Sequence, residues 1–361
     1  MARAPSEAGK GMLARLRGGG AAKPRGISLA LQGGGSHGAF QWGVIERLLD
    51  EESLEIKALT GASAGAMNAV VLAHGLIEGR EAAKAGLEAF WRGVSASGGR
   101  GVFGDSSVWT AAFNPDWIRD TPAFNWFQTW ASTLSPYNYN PFNLNPLHDL
   151  LEASVDFAAL REKSPVALYL GATAVRTSEA RIFRGAEITS RHVMASACLP
   201  QLFQAVEIDG EPYWDGGYLA NPPLWPLFYD KTPDDILVIS LNPFRREETP
   251  KTPAEIVDRL NEITFNASLV AELRAIGFVQ KLLDEGLLKD QARGRYRRML
   301  VHAITADGRL NDLSMATKFN TDWPFLEDLR QRGRAAAEAW LADCLNRVGV
   351  SSTLDLKAPF R

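Results

Sequence analysis

Apolar residues along the chain alternate between short runs and longer helical stripes. Residues 27–32 (Ile-Ser-Leu-Ala-Leu-Gln) form a short apolar run that halts at three glycines, as a buried strand does on entering a tight turn. Phe40, Val44, Leu48 and Leu49 then recur at helical spacing across 39–49. Residues 56–60 read as a second strand ending at Gly61, and 64–73 as a nearly all-apolar, buried helix. Two strands joined by a helix, each running into a glycine turn and a further helix, imply parallel pairing with right-handed crossovers. More strands are predicted at 165–175, 236–241 and 299–304, a helical pattern at 253–288, and an alanine-rich amphipathic helix at 325–348. Residues 95–146 break the rhythm. Trp109, Phe113, Trp117, Phe124, Trp126, Phe127, Trp130, Tyr137, Tyr139 and Phe142 lie there among Asn, Pro and Gly, which reads as an excursion from the sheet. The segment is either a lid or the wall of an apolar groove, or an insertion packed for its own sake.

Composition narrows the class. With 361 residues, 46% hydrophobic and 22% charged, the chain can bury the core of one sizeable α/β domain. A net charge of −3 and a pI near 6.0 supply no basic field, so nucleic acid is not an expected partner. Cys198 and Cys344 lie far apart without metal-ligand spacing, which implies neither disulfide nor zinc and fits a reducing, cytoplasmic compartment. The first 25 residues place Lys10, Arg15, Arg17, Lys23 and Arg25 among Gly and Ala with no apolar core, and read as a disordered leader. No run approaches the roughly 18 apolar residues of a membrane span. Contact with a membrane is therefore expected to be peripheral, and nothing speaks to oligomeric state.

Three glycine-flanked features carry the candidate chemistry. Gly61-Ala62-Ser63-Ala64-Gly65 lies between a predicted strand and a predicted helix, where small neighbours let a serine hydroxyl project clear of the backbone. The bland reading is a helix N-cap. Gly33-Gly34-Gly35-Ser36-His37-Gly38 follows the first strand. Through Gly33, Gly35 and Gly38 it satisfies a dinucleotide-binding fingerprint, but the second strand lacks the expected closing carboxylate and runs into the serine turn. Alternatively, its N–H groups face an oxyanion beside Ser63. The third feature is Asp215-Gly216-Gly217, after an Asp209-Gly210 pair that favours a hairpin turn. Of the five histidines, only His302 falls late enough to complete a serine, acid and histidine order.

In this order the motifs resemble those of the patatin-like phospholipase family across residues 26–245. Ser135-Pro136-Tyr137, Asn143-Leu144-Asn145-Pro146-Leu147, Ala195-Ser196-Ala197 and Leu199-Pro200 are similar to stretches of family members as well. The resemblance implies a three-layer α/β/α fold with a mainly parallel central sheet and an aromatic-rich insertion at 95–146. A helical extension, 246–361, would pack on the same domain. It also implies a Ser-Asp dyad that needs neither cofactor nor metal and acts on a lipid or other fatty-acyl ester. Ser63 would be the nucleophile, Asp215 the base, and the N–H groups of Gly33, Gly34, Gly35 and Ala64 the oxyanion hole. Gly38, Gly61, Gly65, Gly216 and Gly217 would shape the turns. His37 stands where family members often carry Arg or Lys. Three alternatives remain open: an α/β-hydrolase triad using His302, a dinucleotide-binding oxidoreductase using Gly33, Gly35 and Gly38, and a binding protein without catalysis.

Overall fold

The computed structural model describes residues 23–98, 135–288 and 296–356. The expected leader (1–22 of it) and most of the aromatic excursion, including Trp109 to Trp130, lie outside the described residues.

An eight-stranded sheet organises the molecule. Its strands are β1 (Arg25–Leu31), β2 (Leu54–Gly61), β3 (Ala167–Ala174), β4 (Glu179–Arg184), β5 (Val206–Ile208), β6 (Glu211–Asp215), β7 (Asp235–Ile239) and β8 (Leu300–Ile304). In space they run β5-β6-β3-β2-β1-β7-β8, with β4 on the other edge of β3. From β3 to β8 every pairing is parallel; β4, β5 and β6 are antiparallel.

Side-chain alternation in β1 splits the core into two layers. Ile27, Leu29 and Leu31 face one layer, together with α1 (Gly38–Leu49), α2 (Ala64–Gly75), α3 (Arg80–Gly98) and α10 (Trp323–Cys344). Between α3 and α10 in the chain come α4 (Pro136–Tyr139), α5 (Pro146–Ser154), α6 (Phe157–Lys163), α7 (Ser190–Ser196), α8 (Trp225–Tyr229) and α9 (Pro253–Asp284). Ala30 of β1 faces the opposite layer, where Ile236 and Val238 of β7 meet Leu227 of α8 and Leu269, Leu273 and Ile276 of α9. The result is the three-layer α/β/α arrangement. Fully buried side chains such as Phe40, Trp42 and Leu87 each contribute about 1.5–3 kcal/mol of transfer free energy to it.

The described end of the aromatic segment is built from proline-led turns. Ser135 Oγ accepts from Tyr137 N–H to cap α4, and Asn145 Oδ1 accepts from Leu147 N–H to cap α5, each with Pro at the first helical position. Gln204 Nε2 donates to the Asn140 carbonyl at 2.9 Å, tying this segment to the loop after α7.

Candidate active site

Register brings the serine and the aspartate together. β2 lies along one edge of β3, ending with Gly61 opposite Leu170. β6 approaches along the same edge from the other direction and ends with Asp215 opposite Ala172. The far edge of β3 is occupied by β4. Two strands thus meet tip to tip, two residues apart on a shared partner, and their ends deliver Ser63 and Asp215 to one place.

At the tip of β2 the chain turns sharply into α2. Ser63 has φ 54° and ψ −125°, a conformation strained for a residue with a side chain. The turn requires glycine at position 65, where a Cβ would fall inside the Leu31 carbonyl. Ser63 N–H donates to the Ser196 carbonyl at 3.1 Å and to Ser196 Oγ at 3.2 Å, while Ser196 Oγ–H donates to the Gly171 carbonyl at 2.6 Å. The 195–197 stretch, singled out only by resemblance, therefore anchors the serine turn to β3.

Asp215 is fully buried. Its Oδ1 accepts from Gly217 N–H at 2.6 Å, its backbone carbonyl accepts from Thr173 Oγ1 at 2.9 Å, and its buried Oδ2 has no hydrogen-bond partner within 3.5 Å among the described residues. Burial pushes the carboxyl from 3.8 up to about 6, opposed by the Gly217 N–H, the Ser63 hydroxyl and the Lys318 charge.

The glycine loop lies beside the serine because β1 and β2 are neighbours, Leu31 opposite Gly61. A Cβ on Gly33 would fall 2.8 Å from Ser63 Cβ. Among the described residues, the N–H groups of Gly34, Gly35 and Ala64 donate to nothing, and the positive end of α2 reinforces the last of them. Gly33 departs from the expectation. Its N–H donates to Asn221 Oδ1 at 2.6 Å, so this residue tethers the loop and is no free donor. Asn221 is itself fixed by Nδ2 donating to the Phe265 carbonyl at 2.9 Å.

Several polar residues of the site had no signature in the sequence. Gln32 Oε1 accepts from the N–H groups of Leu241 and Asn242 at 2.8 and 3.0 Å, clasping the tips of β1 and β7. Asn242 Nδ2 donates to the Gly33 carbonyl at 3.2 Å, and Asn242 Oδ1 accepts from Lys318 Nζ at 2.7 Å. Their only sequence signal is position: each polar residue stands just past an apolar strand or, for Asn221, just past the Asp-Gly-Gly turn. His37 Nε2 pairs with Thr317 Oγ1 at 2.8 Å, and burial, Lys318 and Arg332 press its pKa down to about 3, so its ring is neutral.

The triad alternative fails on topology. His302 sits in the edge strand β8, three strand positions from β2, about 14 Å at roughly 4.8 Å per step. Its Nε2 pairs with Asp235 Oδ1 at 2.9 Å and its Nδ1 with Thr353 Oγ1 at 3.1 Å, a structural assignment. The dinucleotide alternative lacks its partners. Asn221 already occupies the Gly33 N–H, and β2 ends at Gly61 in the serine turn with no carboxylate to meet a ribose. A cavity of about 560 Å³ lies elsewhere: its wall includes His74, 11 residues and about 16 Å along α2 from Ser63.

A strained serine turn, a glycine loop and a buried carboxylate are thus grouped at the strand tips of a mainly parallel α/β/α sheet. Residues 29–228 match the patatin-like phospholipase family, and the chain belongs to that family of lipid acyl hydrolases. Among solved structures, VipD from Legionella pneumophila is similar, with 14% identity, 88% of this chain and 67% of that chain covered, and a TM-score of 0.39. A search of curated proteins gave no match.

Proposed function

We propose that the chain cleaves a carboxylic ester of a lipid through an acyl-enzyme on Ser63, with Asp215 carrying the proton at each step. The reading rests chiefly on one observation: the fully buried Asp215 carboxyl lies beside the Ser63 hydroxyl, which favours its ionised form. A carboxylate with pKa near 6 is ionised at neutral pH and still basic enough to accept a proton in the transition state.

Ser63 Oγ attacks the ester carbonyl while its proton passes to Asp215 Oδ2. The carbonyl oxygen becomes an oxyanion facing the N–H groups of Gly34, Gly35 and Ala64, each worth about 10²- to 10³-fold in kcat. The carbon–oxygen bond to the alcohol breaks as Asp215 returns the proton to that oxygen, leaving an acyl ester on Ser63. Water then attacks this ester, giving its proton to Asp215, and Ser63 recovers its own as the fatty acid leaves. Contact with lipid is peripheral in this reading. No described helix is long and apolar enough to cross a membrane, and Phe142 projects 84% exposed from the described end of the aromatic segment.

Hydrolysis of a p-nitrophenyl acyl ester tests the dyad. Ser63→Ala and Asp215→Ala are expected to lose all but background activity, and Ser63→Ala to lose labelling by a fluorophosphonate; substantial turnover in either variant would refute the assignment.

A further inference from the structure

A lysine far from the motifs in sequence, and beyond the 29–228 family match, reaches the same site. Lys318 lies in a short 3₁₀ turn, Met315–Phe319, that packs against the glycine loop. Its Nζ donates to Asn242 Oδ1 at 2.7 Å and to Asn261 Oδ1 at 2.8 Å, and stands 5.2 Å from the Phe265 ring centroid. Two of these partners lead directly to the catalytic groups. Asn242 holds the Gly33 carbonyl, and Phe265 fills the space beside Gly217, whose N–H binds Asp215. The lysine's own carbonyl abuts Gly35.

We infer that Lys318 is a positioning residue for the ester hydrolysis: through Asn242 it fixes the glycine loop, and its ammonium is the local positive charge favouring both ionised Asp215 and the developing oxyanion. The inference rests on the Ser63–Asp215 reading. Charge at this point is not supplied by the loop itself, since the His37 ring is neutral. Groups facing Lys318 are Asp258 and Glu262 from α9 and Asp215 from β6; those facing Asp215 also include Cys198, after α7, and Tyr218. Glu262 is itself engaged by Arg246 and Arg259.

The role can be separated from simple packing by pH profiles. Burial lowers the Lys318 pKa to about 8, so kcat/KM should fall above that pH as the ammonium deprotonates. In Lys318→Met, kcat for a p-nitrophenyl ester should drop at least about tenfold, with KM within about twofold, since loop placement acts on the transition state. The acid limb should move up and the alkaline limb disappear. Lys318→Arg should recover part of kcat and hold its rate above pH 8. Asn261→Asp keeps the shape and sets a carboxylate against the ammonium; both limbs should shift upward, which makes this variant decisive if the Met variant does not fold. A folded Lys318→Met enzyme with wild-type kcat and limbs, or an Asn261→Asp enzyme with unmoved limbs, would overturn the inference. Wild-type behaviour in these variants while Ser63→Ala is dead would sink this role alone and leave the dyad standing.

Discussion

Replacing Asp215 by Asn should abolish activity and make the protein more stable. The carboxyl is fully buried, and its pKa rises from 3.8 to about 6. One unit of pKa corresponds to about 1.4 kcal/mol, so the ionised side chain costs the native state about 3 kcal/mol at pH 8. A raised folded-state pKa means the native protein holds this proton more tightly than the unfolded chain does. Its contribution to stability is complete below 3.8, is lost as pH climbs to about 6, and stays lost above. Asparagine carries no such penalty. Its carbonyl can keep the Gly217 N–H, and its amide N–H can occupy the unpartnered Oδ2 position towards the Ser63 hydroxyl. Urea unfolding at pH 8 should therefore favour Asp215→Asn by about 3 kcal/mol, with Tm higher by several degrees. Near pH 4 the two proteins should converge. A variant less stable than wild type at pH 8, or a gap that stays constant on acidification, would refute the assignment of this carboxylate as a buried, strained base.

Other expectations follow from the same geometry. The kcat/KM profile of the wild type should rise with pH through about 6, as Asp215 ionises, and a profile flat from pH 5 to 7 would exclude it as the base. His302→Ala should lose about 2–4 kcal/mol in urea unfolding, because it strips a partner from buried Asp235 and a ring from Trp340, yet keep wild-type kcat per folded molecule. Loss of kcat without loss of stability would revive the triad. Phe142→Asp should weaken co-sedimentation with phosphatidylcholine vesicles and leave hydrolysis of a short soluble ester unchanged; unaltered vesicle binding would remove Phe142 from the lipid-facing surface.

Parallel strands were legible because burial on both faces makes them nearly continuous apolar runs: β1, β2, β3, β7 and β8 all lie within two residues of the expected segments. β4 was not. Its Glu179, Arg181 and Arg184 are exposed, and only Ile182 and Phe183 are buried, so no apolar run announces it. The β5–β6 hairpin did leave a mark, because Asp209 and Gly210 both take positive φ, 52° and 80°, in a tight turn that Asp-Gly favours. At the site, Ser63 and Asp215 could be singled out because glycine must flank them. Gln32, Asn221, Asn242 and Lys318 could not, since their roles arise from hydrogen bonds spanning up to 210 positions and no local constraint writes such a bond into neighbouring residues. The Gly33 N–H illustrates the limit. Its position was legible, its occupation by Asn221 was not.

The tip-to-tip arrangement of β2 and β6 also governs which changes of length the protein can absorb. Gly61 and Asp215 are aligned on their shared partner β3, opposite Leu170 and Ala172, so the 152 positions separating Ser63 from Asp215 (215 minus 63) do not act as a ruler. Insertions in connecting loops should leave catalysis intact. Deleting one residue from the middle of β3 would instead rotate the carboxylate to the opposite face of the sheet, and adding two would draw the pair apart by about 7 Å. Three consecutive positions, 170–172, thereby set how far apart the tips of β2 and β6 stand along β3.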